Sequence, residues 1–172
     1  MANSKLTVPQ RKNHRIGVLV DVSNMYHSAK NLYKSRVNFR ELLKLVTANR
    51  ELVRAVAYVV KSDTDEEKAF FSALEKAGFE LKSKDLQVFP GGMKKGDWDV
   101  AIAVDAITLS KLVDVIVIVS GDGDYEPLVD YLKFNGNIVE VAGFGRSTSA
   151  RLIEAAHNFT DLDEVADKVI LK

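Results

Sequence analysis

Five aspartates stand where strands or helices of this chain are expected to end or begin: Asp21, Asp97, Asp99, Asp122 and Asp124. Carboxylates crowded into one crevice repel each other, so their convergence requires a compensating cation. Hard oxygen donors, with no cysteine and no histidines at ligand spacing, favour Mg²⁺ or Mn²⁺ over zinc. A cation of that kind polarises a phosphoryl oxygen and activates water for an in-line displacement. Asn24 could orient a carboxylate or a metal-bound water, and Lys94 and Lys95 could hold the phosphates of a substrate. Each residue also has a plainer reading. Asp21 and Asp124 suit turns and caps, Asp97 and Asp99 complement a helix dipole, Asn24 is a good cap, and the lysines suit a solvated loop. The joint occurrence of these residues at element ends is what points to chemistry. Asp105, six residues beyond Asp99, lies about 240° round a helix and is expected to serve structure instead.

The elements that must position these residues alternate. Val115 to Val119 is β-branched without interruption and reads as a strand buried on both faces of a parallel sheet. It stops at Ser120-Gly-Asp-Gly-Asp124, and Pro127 then suits the first turn of a helix over about 125–134. Residues 16–21 form a second short strand ending in an acid, followed by a helix over about 25–33 with Ser23 or Asn24 as cap. Helical spacing recurs over 38–49 and 66–77, the latter closed by Gly78, and a helix is expected from Asp97 to about 112. Further strands are expected over 53–60, over 79–89 with a break at 83–85, and over 138–142. Residues 90–96 and 143–149 read as loops, and 150–157 as a helix. The alternation implies a three-layer α/β/α fold with a mainly parallel sheet in the order about 3-2-1-4-5. That order makes 16–21 and 115–120 neighbours at the point where ligands bind in open α/β sheets. Tyr26, Tyr33 and Tyr125 then fall on helices beside the crevice, where they could stack on bases or pack in the core.

Composition narrows the function. The chain has 172 residues, 47% apolar and 28% charged, which suits one globular domain. The absence of cysteine excludes disulfides and thiolate catalysis. No apolar run reaches the ~18 residues of a membrane span, and the polar amino terminus lacks a secretory segment, so a cytoplasmic protein is expected. Phosphate-loop, dinucleotide and serine-nucleophile signatures are missing. The formal net charge of zero conceals a split: residues 1–50 hold ten Lys and Arg against two acids, Asp21 and Glu41. A basic amino-terminal third suggests an anionic partner.

Three motifs together resemble a known family. Val18-Leu-Val-Asp-Val-Ser-Asn24, Lys95-Gly-Asp-Trp-Asp-Val-Ala-Ile-Ala-Val-Asp105 and Val119-Ser-Gly-Asp-Gly-Asp-Tyr-Glu-Pro-Leu128 are similar to the NYN domain of the LabA/DUF88-like group, within the PIN-like nuclease superfamily. The resemblance implies a PIN-like fold, dependence on Mg²⁺ or Mn²⁺, and action on RNA. It assigns the acidic site to Asp21, Asp99, Asp122 and Asp124, with Asn24 and Ser120 in support. Many PIN nucleases supply a further acid from a neighbouring helix, for which Glu41 and the run Asp65 to Glu67 are candidates. The domain would span 15–162, preceded by a flexible basic arm (1–14) and followed by an extension (163–172) readable as helix or edge strand. Two functions are compatible with this: a metal-dependent endoribonuclease, or a non-catalytic module docking RNA or a protein. No membrane partner is expected, and a homodimer is left open.

Overall fold

The computed structural model describes residues 4–88, 90–91, 94–95 and 97–172. The strands are β1 (Lys5–Leu6), β2 (Arg15–Asp21), β3 (Glu51–Lys61), β4 (Glu80–Asp85), β5 (Gln87–Val88), β6 (Lys94–Lys95), β7 (Val115–Val119), β8 (Ile138–Gly143) and β9 (Asn158–Asp161). The helices are α1 (Val22–Tyr33), α2 (Phe39–Thr47), α3 (Asp65–Ala77), α4 (Asp99–Leu109), α5 (Glu126–Phe134), α6 (Ala150–Ala155) and α7 (Ala166–Val169). Seven strands make one sheet in the order β4-β3-β2-β7-β8-β9-β1, and β5 and β6 pair separately as a hairpin. The five strands expected from sequence occupy their expected order; the sheet then continues through β9 and β1 at one edge.

All five residues of β7 are buried, as a strand covered on both faces requires. Its neighbour β2 runs parallel, from Ile16 opposite Val115 to Val20 opposite Val119. That register brings Asp21 and Ser120 out together at the carboxyl edge of the sheet. Alternate residues of β2 feed two cores: Ile16, Val18 and Val20 meet α1, α2, α3 and α7 on one face, while Leu19 meets α4, α5 and α6 on the other. The α/β/α layering is therefore written in the alternation of these strands. No helix among the described residues is long and apolar enough to cross a membrane.

Several expectations are corrected. The third expected strand is not broken at 83–85: Ser83, Lys84 and Asp85 pair with Val59, Val60 and Lys61. As β4 lies at the sheet edge, its polar side chains reach water without leaving the ladder. The helix over 97–112 is shorter at both ends, and the one over 150–157 gives way to β9, which runs parallel to β8. Within residues 1–14, read as an arm, Lys5–Leu6 pair antiparallel with β9. The side-chain amide of Asn158 holds the next two residues, accepting from the N–H groups of Thr7 and Val8 and donating to the Val8 carbonyl, each at 2.9 Å. Residues 162–169 form a helical turn leading into α7, and Ile170 bridges to Val37.

Candidate metal centre

Asp21 ends β2 and caps α1, its Oδ1 accepting from the Asn24 N–H at 3.2 Å. Asn24 is thus inside the helix rather than its cap. Its own Oδ1 accepts from the Gly121 N–H at 2.9 Å, tying the end of β7 to the start of α1. The second oxygen of Asp21 faces Ser120 Oγ at 3.5 Å and Tyr125 Oη at 3.3 Å. Ser120 is wholly buried and its Oγ accepts from the Asp122 N–H at 3.2 Å. Asp122 caps the short turn Gly123–Tyr125 by accepting from the Asp124 N–H at 2.9 Å. Capping here falls to Asp122, not to Asp124.

Asp99 arrives from the opposite side as the first residue of α4. Trp98 fixes that helix start: its Nε1–H donates to the Val59 carbonyl at 3.0 Å, and its ring packs at 5.5 Å from Tyr58. Carboxylate oxygens of Asp99, Asp122 and Asp124 lie within 4.8 Å of one another. Asp21 joins this trio through Tyr125, whose hydroxyl sits 3.0 Å from Asp99 Oδ1 as well as 3.3 Å from Asp21 Oδ2. A phenol has one proton to donate, so it can satisfy only one of the two acids. The other must find its donor elsewhere, and for Asp21 the Ser120 hydroxyl is the nearest at 3.5 Å.

The electrostatics agree. Burial pushes the Asp21 carboxyl above its ordinary range, and the charges of Asp99 and Asp122 add to this, against the opposing Asn24 N–H and Tyr125 hydroxyl. Burial likewise raises Asp99, with Asp122, Asp97 and Asp124 contributing the same sign. Burial raises the Tyr125 phenol, reinforced by the surrounding acids, so it stays a donor. Among the described residues no lysine or arginine forms an ion pair with any of the four acids.

The other sequence candidates separate. Asp97 is exposed and accepts from the Asp99 N–H at 3.3 Å, shaping the approach to α4. The side chains of Lys94 and Lys95 lie outside the described residues; their backbones form β6. Asp105 turns away as expected and receives Tyr58 Oη at 2.7 Å and Lys82 Nζ at 2.6 Å. Glu41 pairs with Lys44, while Glu67 accepts from Ser62 and Asp63, so neither joins the cluster. Tyr125 is buried at 2% exposure and cannot stack on a base. Its bridging role was missed from sequence, although a hydroxyl next to two aspartates in Asp122-Gly-Asp-Tyr125 was a signal to weigh.

The NYN domain model matches residues 15–163. The chain belongs to the NYN domain family. The low amplitude and bright protein LabA of Synechococcus elongatus is 26% identical over 162 residues, spanning 88% of this chain and 85% of that protein. A crystal structure of VPA0982 from Vibrio parahaemolyticus, a protein of unknown function, superposes with a TM-score of 0.85 at 34% identity, covering 95% of this chain and all of that one. This NYN domain therefore shares its whole architecture with a solved relative, and its acidic cluster is compatible with a metal site.

Proposed function

We propose that this NYN domain is a divalent-metal-dependent ribonuclease whose site is Asp21, Asp99, Asp122 and Asp124. The observation that supports this most is the meeting of three carboxylates within 4.8 Å, drawn from α4 and from the turn after β7. Among the described residues they have no basic partner to balance them. The donor set fits a hard divalent ion: every atom offered is a carboxylate oxygen. Asp99, Asp122 and Asp124 would hold Mg²⁺ or Mn²⁺, with Asp21 behind them. When bound, the ion would supply polarisation of a phosphate oxygen and a more acidic water.

The chain's own residues have separate tasks in this reading. Tyr125 keeps Asp21 and Asp99 at one distance from each other. Ser120 and Asn24 lock the end of β7 against α1, so the acids cannot spread when their charges are unbalanced. Lys94 and Lys95, on the hairpin just ahead of α4, are proposed to meet substrate phosphates. RNA as the substrate rests on the likeness of the three motifs to the NYN group.

A second reading is a non-catalytic module that docks RNA or a protein. It is favoured by the engagement of Glu41 and Glu67 elsewhere, and among the described residues no acid of α2 or α3 joins the cluster. One experiment separates the two: cleavage of labelled RNA with Mn²⁺, Mg²⁺ or chelator, for the wild type and Asp122→Asn. The nuclease reading expects metal-dependent cleavage that falls roughly 10²-fold or more in the variant, the scale of losing one preorganised charge, with RNA binding retained. A wild type that binds RNA but cleaves none under any metal establishes the docking module instead.

A further inference from the structure

Lys84 lies in β4, opposite Val60 and next to the carboxyl end of the edge strand. Its ammonium sits 4.7 Å from the centre of the Trp98 ring. Trp98 immediately precedes Asp99 in the chain, and Lys84 lies at the same carboxyl edge of the sheet as Asp21, two strands away. Two other cations on the helical face that α4 shares are paired: Lys82 with Asp105 at 2.6 Å, and Arg151 with Glu126 at 2.6 Å. Arg146, beyond β8, pairs with Asp163 at 2.9 Å. Lys84 makes no ion pair among the described residues.

Four of the ten cations in the basic amino-terminal third are engaged elsewhere. Arg15 begins β2, seven residues long, at the end opposite Asp21, and pairs with Asp114 at 3.3 Å. Lys44 pairs with Glu41, Lys5 with Glu154, and Arg50 is buried against Glu140. At about 3.3 Å per residue, the length of β2 puts roughly 20 Å between Arg15 and the cluster.

We infer that Lys84, held in place by Trp98, is a phosphate contact for a single nucleic acid strand entering the crevice from the β4 side, an inference that rests on the proposed ribonuclease reading. Trp98 is a positioning residue in this arrangement. One edge of its indole is fixed to β3, its ring orients the lysine, and the backbone that follows delivers Asp99. An aromatic face attracts an ammonium without neutralising it, so the charge remains available to a phosphate. Phosphates on one side and carboxylate-held metal on the other would then bracket the scissile bond.

The test is RNA binding in Ca²⁺ over a salt series, for wild type, Lys84→Met, Lys84→Arg and the remote control Lys12→Met, with Mn²⁺ affinity measured separately. Losing one phosphate contact lowers the salt slope by about 0.7 for a single strand, which amounts to roughly fourfold weaker binding at about 0.15 M salt. The expected result is that loss for Lys84→Met, wild-type slopes for Lys84→Arg and Lys12→Met, and unchanged Mn²⁺ affinity throughout. If Lys84 is instead an internal counter-charge for the acids, Lys84→Met tightens Mn²⁺ binding and leaves the slope alone. That result, or a slope lost in Lys12→Met rather than Lys84→Met, overturns the assignment while the nuclease reading stands. A wild type that binds no RNA overturns both.

Discussion

Asp21 illustrates how the proposed site is held at the expense of stability. Its folded-state pKa is raised, chiefly by burial, so the native state binds more protons than the unfolded chain between the two values. Stability from this group is therefore lost as pH rises through that window, and at neutral pH the ionised acid weakens the metal-free protein. Asp21→Asn keeps an oxygen for the Asn24 cap and removes the charge. In chelator at pH 7 the variant is expected to melt above wild type, by about 2–4 °C for each kcal/mol recovered, with the gap closing under acid. Mn²⁺ should raise the wild-type Tm, and raise that of the variant by less. A metal-free Asp21→Asn protein that melts below wild type would show that the acid is not strained. The aspartates were legible in the sequence because each sits at an element boundary beside glycine or a cap. The link through Tyr125 was not, since its bond to Asp99 spans 26 residues and depends on how α4 meets the turn after β7.

At the level of elements, the site depends on a close approach between two loops. The Gly121 carbonyl accepts from the Ser149 N–H at 2.9 Å, and a Cβ on Gly121 would lie 2.7 Å from the Ser147 carbonyl oxygen. Backbone cannot yield as a flexible side chain does. Gly121→Ala is expected to cost about 1–3 kcal/mol by overpacking, measured by urea denaturation, and to weaken Mn²⁺ binding because Asp122 moves with the strand end. An unchanged midpoint and unchanged metal affinity would mean that residues 145–149 give way freely. The sequence shows the same division between legible and hidden elements. The strands β2, β3, β7 and β8 were readable because burial on both faces demands apolar runs. The strand β9 was not: Asn158 and Asp161 look like loop residues until Glu140 and Thr7 are seen to satisfy the first and Gly145 the second. Helix α4 was overextended because apolar residues continue past its end, at Leu112 and Val113.

Across the whole molecule, one buried polar group joins distant parts of the chain. Arg50 Nη2 lies 2.8 Å from Glu140 Oε1, with side-chain exposures of 1% and 6%. The guanidinium also donates to the carbonyls of Val46 and Thr47, while Asn158 donates to Glu140 at 3.0 Å. Removing one partner strands the other charge in the interior. Arg50→Met is expected to cost about 3–5 kcal/mol, and Arg50→Met with Glu140→Met to recover most of it, in equilibrium denaturation. Equal losses in the single and double variants would mean that packing, not charge, dominates there. Asn158 in the same network anchors β1, two residues of antiparallel backbone laid on the outermost parallel strand. Without that cover, β9 would present an open row of backbone donors and acceptors to any extended segment nearby. A clip between residues 8 and 15 would thus do more than shorten the chain: it would convert a sealed flank into a template for aggregation, and the proteolytic history of a sample would govern its tendency to self-associate.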